Sequence, residues 1–328
     1  MTVSRALNNR ENVKKETREM ILETAKKMGY RPNYIARSLV TNKTNTIGVV
    51  VPEISHSFFP EVIRGIEEVT YEKGYNLILM HSSEDAQREV SAIATLESKQ
   101  VDGILISIAE TVEDFSIYKN LVDEGYHLVF FDRCVKGIGA SCVRLNDIES
   151  ARKITQHLIK KHRYKRIAHL KGPDKISIGK DRLDGFLSAM KENNLKVNKD
   201  WIVDAGLKES EGKRAMSKLL DLPKSRQPRA VIAVNAPVAF GAIEAIKERG
   251  LRIPEDIAIV AFSDNIRAQL ISSPLTTVRQ PAYEIGRKAA EKLISSIESE
   301  VADVEDIVVN AELVIRRSCG CTYEPEEK

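Results

Sequence analysis

Apolar positions change their rhythm once along this chain. Over residues 2–28 they recur every three or four residues, and from Thr46 onward short unbroken apolar runs alternate with amphipathic stretches. Thr2, Val3, Ala6 and Leu7 keep helical spacing. This predicts a short helix that buries Val3, Ala6 and Leu7 and leaves Ser4, Arg5 and Asn8 largely on the polar side. Asn8-Asn9 is a stop signal. A second helix is predicted over 15–28, with Met20, Ile21, Thr24, Ala25 and Met28 as its apolar stripe and Gly29 as its terminator. Val13, just outside it, is placed to staple its entry. Two short helices cannot enclose a core, so the pattern asks for a third, with no residues upstream to make it.

The alternating region reads as strand and helix in turn. Residues 47–51 form an apolar run ended by Pro52, as a buried parallel strand would. A helix over 58–73 follows, then strand 77–80, helix 86–98, strand 103–106, helix 112–124, strand 127–131 and a long helix from Asp147 to about 161. The pattern then restarts with strand 166–170, helix 182–192, strand 201–203, helix 211–220, strand 230–234, helix 238–249 and strand 257–262. Two such runs predict two doubly wound α/β lobes. A last helix over 283–297 and a last strand over 307–315 are extra pieces available to cross between them.

Charge divides the chain in the same place. The first 45 residues carry ten Lys/Arg and four Glu, while the rest is mildly acidic, which suits a phosphate-facing module on an independent body. No apolar run is long enough to span a bilayer, and the start has no signal-peptide core, so a cytoplasmic protein without membrane contact is expected. The four cysteines (134, 142, 319, 321) then read as reduced thiols. Cys319-Gly320-Cys321 lies in a polar tail and is a weak metal or redox signal, and no metal or cofactor site is assigned. Asn42-Lys43-Thr44 matches a glycosylation sequon but has no secretory route. Catalysis is not expected. The stretch 172–180 lacks the spacing and the Ser/Thr of a phosphate-binding loop, there is no Gly-x-Ser-x-Gly elbow, and the six histidines form no helical metal-binding pair.

Several segments, taken together, resemble the lactose-repressor (LacI/GalR) family. They are Thr2-Val3-Ser4-Arg5-Ala6-Leu7-Asn8, Thr17-Arg18, Gly29-Tyr30-Arg31-Pro32-Asn33 and Ile35-Ala36-Arg37-Ser38-Leu39 near the start. Val51-Pro52-Glu53-Ile54-Ser55, Phe131-Asp132-Arg133, Arg182-Leu183-Asp184-Gly185-Phe186 and Pro274-Leu275-Thr276-Thr277-Val278-Arg279-Gln280-Pro281 extend the match to about Arg317. The resemblance implies a helix-turn-helix headpiece with a hinge helix, followed by a two-lobed periplasmic-binding-protein-like core with three crossovers. It also implies that a further helix and turn belong before Met1, since the match starts inside the recognition helix. An upstream extension of the reading frame is the preferred explanation. A ligand sensor of this fold without DNA binding is the alternative. A secreted ligand-binding protein is disfavoured by the missing signal peptide.

The chain accordingly divides into a truncated headpiece and hinge (1–44), a first lobe (45–162 with 281–303), a second lobe (163–280 with 304–318) and a polar tail (319–328). The resemblance implies a transcription regulator, most often a repressor, acting as a homodimer on a palindromic double-stranded DNA operator. Arg5 is the candidate for a bidentate guanine contact. Ser4, Asn8 and Thr17 are candidates for phosphate contacts or for holding the turn, and Thr2 is a further candidate DNA contact. In the hinge, Asn33 is a candidate cap, Ala36 and Arg37 are candidate DNA contacts, and the resemblance implies that Leu39 wedges the minor groove. Ligands of open α/β sheets bind outside the carboxyl ends of the strands. Ser55, Ser57, Phe58, Asp132, Arg133, Arg182, Asn235, Ser263 and Asp264 are therefore the candidate effector contacts. Arg182 leads by resemblance, and a sugar or sugar phosphate is the implied effector. Ser263 and Ala236 stand where many members carry aspartate, so their ligand network does not transfer directly.

Overall fold

Among the described residues, twelve strands form two six-stranded sheets. The computed structural model describes residues 2–7, 13–30, 43–299 and 303–322. It falls into two units, Met1–Thr44 and Asn45–Lys328. In the larger unit, β1 (Thr46–Val51), β2 (Asn76–His81), β3 (Gly103–Ile106), β4 (His127–Phe131), β5 (Ser141–Leu145) and β11 (Asp306–Val309) make the first sheet. The second holds β6 (Ile167–Lys171), β7 (Ile202–Asp204), β8 (Ala230–Ala233), β9 (Ala258–Phe262), β10 (Thr276–Arg279) and β12 (Glu312–Val314). Strand order is β11-β5-β4-β3-β1-β2 in one and β12-β10-β9-β8-β6-β7 in the other. All pairings are parallel except β10 with β12.

Central strands carry the apolar runs because both faces are covered by helices. Every residue of β3, β8 and β9 is buried, whereas the edge strand β2 is mostly half-buried or exposed. Helices Phe58–Glu72 and Ala282–Glu298 pack closely through glycine. A Cβ on Gly65 would lie 2.1 Å from the Tyr283 carbonyl oxygen, and one on Gly286 2.0 Å from that of Val62.

Lobe boundaries differ from the sequence-based expectation. Helix Asp147–Lys160, expected in the first lobe, buries Ala151, Ile154 and Leu158 against Phe186, Ile232 and Val260 of the second. The expected final strand is two strands. β11 pairs with β5 of the first sheet, and β12 with β10 of the second. The chain thus crosses between lobes after β5, β10 and β11. β5 itself was not predicted, because its partners supply its stability: Cys142 aligns with Asp306, far along the chain. Cys319, expected in a polar tail, is fully buried in the second lobe's core. Cys134 and Cys142 form a disulfide, against the expectation of four thiols.

In the smaller unit, Thr2–Leu7 and Lys15–Lys27 are helical. Ala6 is buried, but Val3, Met20 and Met28 are largely exposed, and no residue of the second helix is buried. The expected shared face therefore closes only around Ala6, because two short helices enclose too little volume.

His169 on β6 carries an energetic cost. It is fully buried and stacks on Phe186 with ring centroids 5.2 Å apart, and neither ring nitrogen has a hydrogen-bond partner. Burial, aided by nearby Arg182 and Lys171, pushes its pKa down to about 3. The unfolded chain takes up this proton near the ordinary histidine value of about 6.5, so stability drains away as pH falls from there toward 3. His169→Leu is expected to raise stability at pH 7 by about 1–3 kcal/mol, by removing an unsatisfied buried polar group. It should also shrink the loss between pH 7 and 5. Urea midpoints at both pH values check this, and an unchanged pH difference would refute it.

Candidate functional site

The strand order reverses direction between β1 and β3 in the first sheet and between β6 and β8 in the second, and ligands of such sheets sit at these switch points. A cleft lies between the lobes there, with about 720 Å³ of empty space including its mouth. From the first lobe it receives Glu53, His56, Ser57, Phe58 and Phe59 after β1, Glu84 after β2, and Asp132 and Arg133 after β4. The second lobe contributes Arg182, Leu207, Lys208, Asn235, Ser263, Asn265 and Gln280. Three of these residues hold left-handed backbone at strand ends: Glu84 (φ 58°), Asp132 (φ 61°) and Ser263 (φ 70°). Such conformations persist only where surrounding structure enforces them.

Arg133 is anchored rather than free. Its guanidinium donates to both Glu84 carboxylate oxygens at 2.7 and 2.8 Å and to the Ile108 carbonyl at 3.0 Å. Glu84 also accepts from the Glu110 amide at 2.9 Å. The loops after β2, β3 and β4 are thereby tied together. Burial lowers the Arg133 pKa, but the Glu84 carboxylate outweighs it and the net shift is upward.

Asp132 is the contrasting case. Its nearest charged partner is the Arg133 Nε at 3.8 Å, beyond hydrogen-bond distance. Burial pushes its pKa up to about 6, restrained by Arg133 and Arg182. Among the described residues its carboxylate makes no side-chain hydrogen bond. Across from it, Arg182 donates from Nε to Asp147 at 2.6 Å and from an Nη to the Val234 carbonyl at 2.5 Å. It lies 4.0 Å over the Phe262 ring. Two of its five N–H donors are thus committed. Asp147 sits where the chain first crosses between lobes, and burial raises its pKa against the pull of Arg182.

The remaining candidates separate by role. Ser57 and Phe58 line the cleft, and Phe58 meets Phe59 edge-on at 5.1 Å. Ser55 does not line it. Its hydroxyl and amide donate to Glu53 at 2.7 and 2.6 Å, alongside the Ile54 amide at 2.7 Å. Burial raises the Glu53 pKa, yet these bonds and His56 bring it below the ordinary range. Asn235 reaches the cleft while capping helix Ala236–Glu248 through Val238 and donating to the Leu207 carbonyl. Ser263 donates to Gln280 at 2.6 Å. Asp264 lines an adjoining pocket that shares Ser57, Phe58, Ser263 and Gln280 with this cleft, and its carboxylate binds Arg316 (2.6 and 2.9 Å), Arg279 (3.0 Å) and Thr277 (3.0 Å).

Glu53, Glu84, Lys208, Asn265 and Gln280 were not among the predicted contacts. Gln280 lies inside the recognised Pro274–Pro281 segment, so a signal existed. Glu84 and Lys208 sit in loops with no motif, and only the folded chain brings them to the cleft. In the smaller unit, Thr2 and Arg5 are exposed on the first helix, where Ser4 also lies, and Thr17 is half-buried on the second. Asn8, Asn33, Ala36, Arg37 and Leu39 lie outside the described residues.

Comparison with known proteins decides the family. The periplasmic binding protein-like domain matches residues 155–319, and the model of bacterial regulatory proteins of the lacI family matches residues 1–33. The HTH-type transcriptional repressor PurR of Pasteurella multocida (strain Pm70) is 34% identical over 319 residues, spanning 97% of this chain and 94% of that protein. The chain belongs to the LacI family of bacterial regulatory proteins. Among solved structures, this LacI-family chain resembles the transcriptional regulator CelR in complex with cellobiose. The TM-score is 0.77 at 26% identity, covering 97% of this chain and 95% of that one. The lac repressor dimer bound to operator and the anti-inducer ONPF shares the fold, with a TM-score of 0.84 at 21% identity over 97% and 94% of the two chains. No helix among the described residues is long and apolar enough to cross a membrane.

Proposed function

We propose that this chain is a cytoplasmic, sequence-specific transcription repressor. A homodimer reads a roughly palindromic DNA operator, and a neutral sugar or sugar derivative held between the lobes controls it. The observation that carries the ligand class is the pairing of the open Asp132 carboxylate with the spare donors of Arg182 in one cleft. Sugar hydroxyls both donate and accept, so such a pair grips them from two sides, and Phe58 offers an aromatic surface. Acidic Glu53, Glu84 and Asp132 offset Arg133, Arg182 and Lys208, which favours a neutral ligand over a phosphorylated one. Cellobiose in the CelR complex supports a carbohydrate of this kind.

Control follows from the crossovers. Closing the lobes on a ligand changes their mutual angle, and this alters DNA affinity only if the ligand binds the two states unequally. Thermal-shift screening of a carbohydrate panel, followed by selection of genomic duplex fragments with and without the stabilising sugar, tests the proposal. Enrichment of one palindromic family that changes with the sugar is expected. A sugar-induced shift with no fragment preference would instead leave a ligand sensor.

Arg5 is the proposed base reader, since its side chain stands exposed on the first helix. Loss of one bidentate guanine contact is worth about 1–3 kcal/mol of discrimination. Arg5→Ala is therefore expected to lower preference for the selected site by roughly fivefold or more in gel shifts while nonspecific binding persists. Unchanged preference would remove Arg5 from this role.

A further inference from the structure

Helix Asp147–Lys160 carries His157 in its last turn, and His162 follows directly. Packed against them is the chain segment after β12, where Cys319 ends a short 3-10 turn and Cys321 follows Gly320. One ligand atom from each of these four residues lies within 4.8 Å of all the others. The His157 Nε2 is 3.4 Å from the Cys319 sulfur and 3.8 Å from that of Cys321, and the His162 Nε2 is 3.2 Å from Cys321.

We infer that His157, His162, Cys319 and Cys321 form a closed tetrahedral site for a structural zinc ion. Zinc bonds of about 2.3 Å to sulfur and about 2.0–2.1 Å to nitrogen set tetrahedral S···N edges of about 3.6 Å. The three S···N separations bracket that value. Thiol–imidazole hydrogen bonding accounts for the cluster less well. The Cys319 sulfur also lies 3.3 Å from the Arg316 carbonyl, so its one thiol proton has an acceptor other than the imidazole. The histidine spacing, with four residues between, is that of zinc fingers, while the cysteine pair is one residue tighter than their usual minimum. Gly320 makes the tight pair possible. Its φ is 106°, and a Cβ there would lie 3.2 Å from the His162 ring.

Four protein ligands leave no open coordination position, so the role is structural. The ion would fasten the end of the chain to the first crossover helix. It would also hold in place Arg316, whose guanidinium grips Asp264 beside the cleft.

The test uses the untagged full chain, purified with a non-chelating reductant and assayed for metal by mass spectrometry. About one equivalent of zinc per chain is expected. Stripping it should lower the melting temperature, and added Co²⁺ should restore stability with the intense visible bands of tetrahedral cobalt and a near-ultraviolet thiolate charge-transfer band. Cys321 is only half-buried, so Cys321→Ser should still fold. It is expected to weaken metal binding by more than about tenfold and to lose the charge-transfer intensity of one thiolate. His157→Ala is the second variant and should remove the tetrahedral spectrum. A chain that holds no zinc and gives no cobalt spectrum overturns the assignment. Wild-type metal affinity in folded Cys321→Ser, or a thiol count showing Cys319 and Cys321 oxidised to each other in the purified chain, also overturns it.

Discussion

Arg182→Met is expected to lower folding stability by about 3–5 kcal/mol and to abolish the sugar response together. The stability loss arises because Asp147 is left buried without its cation, and breaking one side of a buried pair costs more than the intact pair contributes. Replacing both partners should be far milder. In Asp147→Asn/Arg182→Met the remaining groups are uncharged, and most of the lost stability should return. The sugar response should not return, because the spare donors facing Asp132 are gone. A double-mutant cycle by urea unfolding, with calorimetric titration of the sugar found in the panel, separates the two effects. Wild-type sugar affinity in the double variant would remove Arg182 from the site. Purely additive stability changes would refute the buried pairing.

The second large effect concerns a residue that the family pattern and the structure treat differently. Asp264 was expected to contact the effector, yet its carboxylate is held by Arg316 and Arg279 and by the Thr277 hydroxyl. Asp264→Ala removes the carboxylate paired with the buried Arg316 guanidinium, leaving that charge uncompensated beside the Leu275 carbonyl and Thr277 hydroxyl, and is expected to cost about 3–5 kcal/mol. Any fall in sugar affinity should be secondary to that loss. Burial raises the Asp264 pKa, but the arginine contacts outweigh it and the net shift is downward. This stabilisation is therefore full above the unfolded carboxylate value of about 3.9 and is lost as pH falls through the lower folded value. The stability gap between wild type and Asp264→Ala should begin to narrow by pH 3, by at most about 1 kcal/mol relative to pH 7, when unfolding curves at the two pH values are compared. A variant with wild-type stability and no sugar binding would return Asp264 to the effector site.

The two sequence expectations, Arg182 and Asp264, met different surroundings in the fold. Arg182 was legible because it opens a recognisable segment, and the structure gives it the buried partner that makes it a fixed donor. Asp264 sat in an equally suggestive place after β9. Nothing local to Ser263-Asp264 indicates Arg316, fifty-two residues on, which holds the carboxylate. Glu84 was invisible for a related reason. It follows an edge strand in a plain polar loop, and its value comes from Arg133, forty-nine residues later. The cysteines repeat the lesson, since Cys319 and Cys321 lack a useful spacing until helix Asp147–Lys160 brings His157 and His162 beside them.

The sequence by itself determined the alternation of buried strands and amphipathic helices, the restart that makes two lobes, and the basic start on an acidic body. These features are local or compositional, so they survive in a one-dimensional reading. Only the tertiary structure decided the strand β5, the split of the last strand between two sheets, the lobe that owns the first crossover helix, and which charged groups are spent on each other. Those outcomes depend on contacts between distant segments. Pairing energy, desolvation and hydrogen-bond geometry act there only after the chain has folded.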